Sequence, residues 1–195
     1  MKTQKPQHVG NITLAYDAHS WSPDRHLFLV KKAPKGEEDR DRVRKRVGIG
    51  KRCLTGGGRD PGDRSHKQGA QRELFEESGN AWKIPLGNLY RVGVIESYRT
   101  VRGFPRSFEH ATLKWVVHLY ETIIPEHLLD KHGLSEGIVE TGWFSVHDLP
   151  WSEMMDDSKL WIPRMIDGEQ LRIRILRHYK HEKLMEHQII TEQFS

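Results

Sequence analysis

Gly56-Gly57-Gly58-Arg59-Asp60-Pro61-Gly62-Asp63 leads, eight residues later, into Arg72-Glu73-Leu74-Phe75-Glu76-Glu77-Ser78-Gly79. The first half reads as a glycine-rich loop. The second half reads as a short helix carrying glutamates at i, i+3 and i+4. On a helix this spacing places all three carboxylates on one face. Like charges held side by side repel and cost stability. A divalent cation removes that conflict, and hard carboxylate oxygens suit Mg²⁺ or Mn²⁺. A solvated acidic face would use the same three glutamates, but it would not call for a glycine loop, Arg72 and a terminating Gly79 around them. The combination favours an ion site.

Outward from this segment, the pattern predicts a helix over 65–78. Ser65 can cap its start, Gly79 suits the left-handed position just past its end, and Ala70 and Leu74 give it a narrow apolar stripe. Strands are expected at 11–16, 26–30, 89–95, 112–120, 141–145, 171–176 and 185–191. The 112–120 run alternates only partly, as a strand buried on both faces would. A second helix is expected at 160–166, with Pro163 in its first turn or at a kink. Residues 33–46 form a charged loop, either solvated or a basic lip that steers phosphates. Strands and helices alternate without a regular βαβ rhythm. The class is therefore α+β, or mixed α/β, in one domain spanning 10–191 behind a flexible tail at 1–9.

Composition narrows the partners. The chain has 195 residues, 36% apolar and 30% charged, enough for an ordinary core. No run approaches the roughly 20 apolar residues needed to span a bilayer. The start, Met1 to Gln7, lacks the apolar core of a signal peptide. The single Cys53 excludes an intrachain disulfide framework, and a cytoplasmic location is expected. A net charge of +4 favours anionic ligands without choosing between nucleotides and nucleic acid.

The loop and helix together resemble the signature of the Nudix hydrolases. That signature reads Gly, five residues, Glu, seven residues, Arg-Glu, an aliphatic residue, any residue, Glu-Glu, any residue, Gly and a final aliphatic residue. Arg72, Glu73, Leu74, Glu76, Glu77 and Gly79 match it directly. The loop half fits in two registers. Without a gap, Gly58 takes the glycine position and Arg64 stands where Glu is expected. With one inserted residue, Gly57 takes it and Asp63 supplies the carboxylate. Asn80 replaces the closing aliphatic residue. The resemblance implies a Nudix fold, a curved mixed β-sheet sandwiched between helices. It also implies metal-dependent hydrolysis of a phosphorus anhydride. Glu73 and Glu77 are then the first-choice ligands of Mg²⁺ or Mn²⁺, and Glu76 is a further ligand or the general base. A loop carbonyl near Gly56 or Gly57 completes the site, Arg72 braces the glutamates, and Glu136 is the candidate for an additional ligand from a later loop.

A second stretch, Gly142 to Trp151 with Met154-Met155-Asp156-Asp157-Ser158 and Trp161-Ile162-Pro163, is similar to the C-terminal half of MutT-type enzymes that hydrolyse oxidised purine nucleoside triphosphates. Those enzymes read the base with two adjacent aspartates and stack it on a tryptophan. Asp156 and Asp157 take the aspartate positions, though the same pair could simply cap the following helix. Met154 or Met155 falls at the tryptophan position, where Trp151 or Trp161 could stack instead. Cys53 or Leu54 falls where those enzymes carry an amide. The expected reaction is a nucleoside triphosphate going to monophosphate and pyrophosphate. Two alternatives are a hydrolase of nucleotide sugars, dinucleotides or capped RNA, and a non-catalytic module that senses a nucleotide.

Overall fold

The computed structural model describes residues 6–18, 24–33, 50–102, 107–135, 137–178, 184–191 and 193. Glu136 and nearly all of the charged loop expected at 33–46 lie outside the described residues.

The described residues form nine strands in one sheet: β1 (His8–Tyr16), β2 (His26–Lys32), β3 (Arg52–Cys53), β4 (Thr55–Gly58), β5 (Tyr90–Arg99), β6 (Thr112–Ile123), β7 (Ile138–Ser145), β8 (Leu171–Arg177) and β9 (Leu184–Thr191). Helix α1 (His66–Glu77) follows β4, and α2 (Ser158–Ile166) precedes β8. The main path runs β3-β2-β1-β6-β5-β8-β9, with β4 added to β1 and β7 to β2. β1 lies parallel to β6 and β5 parallel to β8, while the other pairs are antiparallel. The sheet is therefore mixed.

Strand periodicity explains why helices cover both faces. Side chains alternate across a strand, and β2 is apolar on both sides. Leu27 and Leu29 join Leu14, Ile173, Trp161, Ile162 and Met165 in one buried cluster, which seats α2. Phe28 and Val30 join Leu74, Trp82 and Ile84 in another, which seats α1. Two apolar faces need two covering layers, and the sandwich expected from the sequence follows. β1 begins at His8, two residues ahead of the expected boundary at 10.

Three local features differ from expectation. The glycine run is not a free loop: Gly56, Gly57 and Gly58 pair as β4 with Ile12, Asn11 and Gly10 of β1. A Cβ on Gly56 would collide with the Asn11 carbonyl oxygen and lie 2.9 Å from Ile12 Cα. Close approach of two strands thus explains the glycine. β6 is not covered on both faces along its length, since Trp115 is 41% exposed and stacks on His8 of neighbouring β1. Pro163 sits in the second turn of α2 rather than the first.

The end of α1 is set by backbone hydrogen bonds. Gly79 N–H donates to Glu76 O (3.1 Å) and Asn80 N–H to Phe75 O (2.9 Å), the pattern of a Schellman cap. Gly79 has φ +73° and Asn80 φ +63°. An aliphatic residue would be strained at the second position, whereas Asn tolerates the left-handed region. The departure from the signature at residue 80 therefore has a backbone cause. Among the described residues no helix is long and apolar enough to cross a membrane.

His66 opens α1 and stacks on His118 of β6, with ring centroids 4.0 Å apart. Burial, then His66 and Arg91, push the His118 pKa down to about 4. The unfolded chain, near 6.5, binds the proton more tightly than the folded one. Stability from this group is thus full above pH ~6.5 and is lost as pH falls towards 4. His118→Gln is expected to flatten the fall of Tm between those pH values, as measured by a pH series of thermal melts. An unchanged slope would contradict this.

Candidate functional site

β4, α1 and the end of β2 meet at one place, and each supplies a different kind of group. The Ser65 hydroxyl accepts from Gln68 N–H (3.1 Å) and starts α1. α1 then presents Arg72, Glu73, Glu76 and Glu77 towards the glycine strand. A Cβ on Gly57 would collide with the Glu73 carboxylate. Bare backbone is what allows that carboxylate to lie against β4.

Arg72 is the hub. Its Nη1 donates to Glu73 Oε1 (2.9 Å) and Glu76 Oε2 (3.0 Å), and its Nη2 to the Gly58 carbonyl (2.9 Å). The same guanidinium reaches Asp63 through Nε (3.3 Å) and Nη2 (3.2 Å). Burial opposes the Asp63 charge, but Arg72 and the Asp60 N–H outweigh it and hold the carboxyl below its usual range. Arg64 is exposed. Of the two loop registers, the one with Gly57 and Asp63 is therefore the one whose carboxylate faces the arginine.

The three glutamates sit in different surroundings. Glu76 is half-exposed at the rim, with side-chain exposure of 49%, against 13% for Glu73. Glu77 is buried. Burial first, then the charge of Glu77, pushes the Glu73 pKa up. Burial also pushes Glu77 up, opposed by Lys32 and by the Gly56 N–H. Gly56 N–H donates to Glu77 Oε2 (2.8 Å). Lys32 Nζ lies 2.6 Å from Glu77 Oε1 and also donates to the Gly56 carbonyl. Burial disfavours the Lys32 charge, yet Glu77 outweighs this and raises its pKa.

Among the described residues no three His, Cys, Asp or Glu side chains are gathered to hold an ion as they stand. The reason is visible in the pairs above: Arg72 holds Glu73 and Glu76, and Lys32 holds Glu77. The donors themselves fit a hard cation. They are carboxylate and carbonyl oxygens only, two of them already converge on a positive charge, and the glycine backbone leaves room beside Glu73.

The remaining candidates sit in different surroundings. Cys53 ends β3 against Lys32 and Glu77, and burial pushes its thiol up to about 11. Met155 is partly buried in the turn before α2, and Asp156 is exposed. Asp157 is buried at the N-cap of α2 but makes no capping bond; its Oδ1 lies 2.8 Å from Arg177 Nη2. Trp161 is 3% exposed inside the core. The two aspartates thus face different environments, and the Trp161 indole offers no open face. Asp63 is a candidate in one of the two loop registers, whereas Lys32 is a site residue that the sequence did not single out. It lies two residues beyond the strand expected at 26–30; β2 in fact runs to Lys32, which donates to the Gly56 carbonyl.

A family model described as NUDIX domain matches residues 16–165. No curated protein sequence matches the chain. Among solved structures, the MutT protein from Bacillus halodurans has 15% identity over 93% of this chain and 97% of that one, with a TM-score of 0.59. The NUDIX domain of Shewanella oneidensis NrtR, complexed with ADP ribose, has 14% identity over 84% of this chain and 89% of that one, with a TM-score of 0.56. Against a MutT/nudix family protein from Enterococcus faecalis, identity is 16%, 74% of this chain is covered, and the TM-score is 0.49. This chain spans 46% of that protein's length. At such identities the likeness speaks for the fold.

Proposed function

The chain belongs to the NUDIX family, whose members are generally metal-dependent pyrophosphohydrolases, and we propose that it cleaves a nucleoside triphosphate to monophosphate and pyrophosphate at the Glu73, Glu76 and Glu77 face of α1. The observation that carries this reading is the oxygen cradle formed by the Glu77 carboxylate and the Gly56 carbonyl, which already draws in a cation beside Glu73.

Glu73, Glu77 and the carbonyl of Gly56 or Gly57 would hold Mg²⁺ or Mn²⁺. Bound there, the ion would neutralise diphosphate charge and ease deprotonation of the attacking water. Glu76, exposed at the rim, would accept that proton. Arg72 keeps Glu73 and Glu76 in fixed rotamers and ties them to the loop through Gly58 and Asp63. Hydrolysis forms a bond from water oxygen to phosphorus and breaks the bridging P–O bond, so the leaving phosphate departs with the bridging oxygen.

Preference for an oxidised purine would rest on Asp156, because Asp157 is engaged by Arg177. A second reading keeps the chemistry and changes the substrate to a nucleotide sugar of the ADP-ribose type. The NrtR domain complexed with ADP ribose supports it. A panel of oxidised and unmodified purine triphosphates, ADP-ribose, nucleotide sugars and capped RNA in Mg²⁺, read by product chromatography, separates the two. Monophosphate plus pyrophosphate from triphosphates is expected. Cleavage of ADP-ribose, nucleotide sugars or capped RNA alone would overturn the triphosphate assignment.

The close contact at Gly57 gives a further expectation. Gly57→Ala must push the Glu73 carboxylate away while leaving the strand paired. Mg²⁺ affinity is expected to fall about 10- to 100-fold, the scale of displaced ligand support, with Tm changed little. Unchanged affinity by calorimetry would remove Glu73 from the ion site.

A further inference from the structure

Lys32 enters the cradle from outside the signature. It arrives from β2, two residues past the apolar pair Leu29–Val30 by way of Lys31. Its neighbour Lys31 turns the other way, to Glu153 at 3.5 Å. Lys32 Nζ instead sits 2.6 Å from Glu77 Oε1 and donates to the Gly56 carbonyl. These are two of the oxygens assigned above to a divalent ion. An ammonium and a metal ion cannot occupy the same oxygens, and like charges at contact distance repel strongly in a partly buried site.

We propose that Lys32 is a built-in placeholder for the metal: its ammonium fills the cradle formed by Glu77 and the Gly56 carbonyl in the ion-free protein, and the ion must evict it to bind. This rests on the metal-site reading given above. The device has a physical purpose. Glu77 is 7% exposed, and a buried carboxylate without a partner is costly. Lys32 supplies a partner while the ion is absent, so the chain can fold before it is loaded. The consequence is competition. If the closed Lys32 state dominates the ion-free population, apparent ion affinity falls by the fraction that is open.

The test measures Mn²⁺ binding by electron paramagnetic resonance in wild type, Lys32→Met, Lys31→Met and Glu77→Gln. Lys32→Met is expected to bind Mn²⁺ about tenfold more tightly than wild type, and Lys31→Met equally to wild type. Without metal, Lys32→Met should melt below wild type; in saturating Mn²⁺ that gap should close or reverse. A folded Lys32→Met that binds Mn²⁺ no more tightly, while Glu77→Gln loses binding, overturns the placeholder role and leaves the metal site standing. If wild type binds no Mn²⁺, both fall together. Should Lys32→Met fail to fold, the wild-type chain carries the test through amine labelling read by mass spectrometry. Labelling of Lys32 should rise several-fold in Mg²⁺ while Lys31 stays constant, and an unchanged Lys32 rate overturns the proposal.

Discussion

Glu77→Gln is expected to abolish Mg²⁺-dependent pyrophosphate release, lowering kcat at least about a thousandfold. The size follows from the charge the ion carries. Charge stabilisation by a bound metal contributes several kcal/mol to the barrier, and each 1.36 kcal/mol is about a factor of ten in rate. Gln keeps the shape of Glu77 and one acceptor oxygen, but it removes the negative charge from the most buried of the three glutamates. The fold should survive. Glu77 accepts from Gly56 N–H and from Lys32, and an amide nitrogen turned to either leaves one donor unpaired, a loss of about 1–3 kcal/mol. A Tm lower by several degrees with turnover gone is therefore the expected pair of results. Turnover within about tenfold of wild type would place the ion elsewhere.

Arg72→Lys is the second large expectation, and it separates charge from geometry. Arg72 contacts Asp63, Glu73, Glu76 and the Gly58 carbonyl at once, with side-chain exposure of 23%. A planar fork with five donors can do this; an ammonium on a flexible stem cannot. Lys keeps the charge but releases Asp63 or the glutamates. Stability is expected to fall by about 2 kcal/mol, discounted from fully buried networks because the guanidinium is partly solvated. For a chain of this size that is roughly 4–8 °C in Tm. Activity should fall further than stability explains, because Glu73 and Glu76 lose their fixed rotamers. Thermal melts and initial rates on the same preparations decide it, and full activity in the lysine variant would show that Arg72 contributes charge alone.

The helix face and its ends were legible in the sequence because they are local. Ser65, the i, i+3, i+4 glutamates and Gly79 declare themselves within one short segment. The paired strands of the core were legible for the same reason, through alternation over a few residues. What the sequence hid is set by partners distant along the chain. Gly56 to Gly58 read as a loop because glycine disfavours strands, yet the close approach of Asn11 and Ile12 requires it there. Lys32 falls beyond the strand expected at 26–30, and its role shows only once β3 pairs with β2 and Gly56 lies beside it. Asp157 reads as a base-contacting or capping residue until β8 brings Arg177 to it. Trp161 could stack or be buried by composition alone, and the cluster beneath α2 decides for burial.

The most direct measurement of the metal site is a crystal soaked in Mn²⁺, with anomalous difference density collected at the manganese edge. The account expects a peak between the Glu73 and Glu77 carboxylates and the Gly56 or Gly57 carbonyl, with Lys32 turned out of the cradle. A strong peak elsewhere, with Lys32 still on Glu77 and an active enzyme in solution, would contradict it.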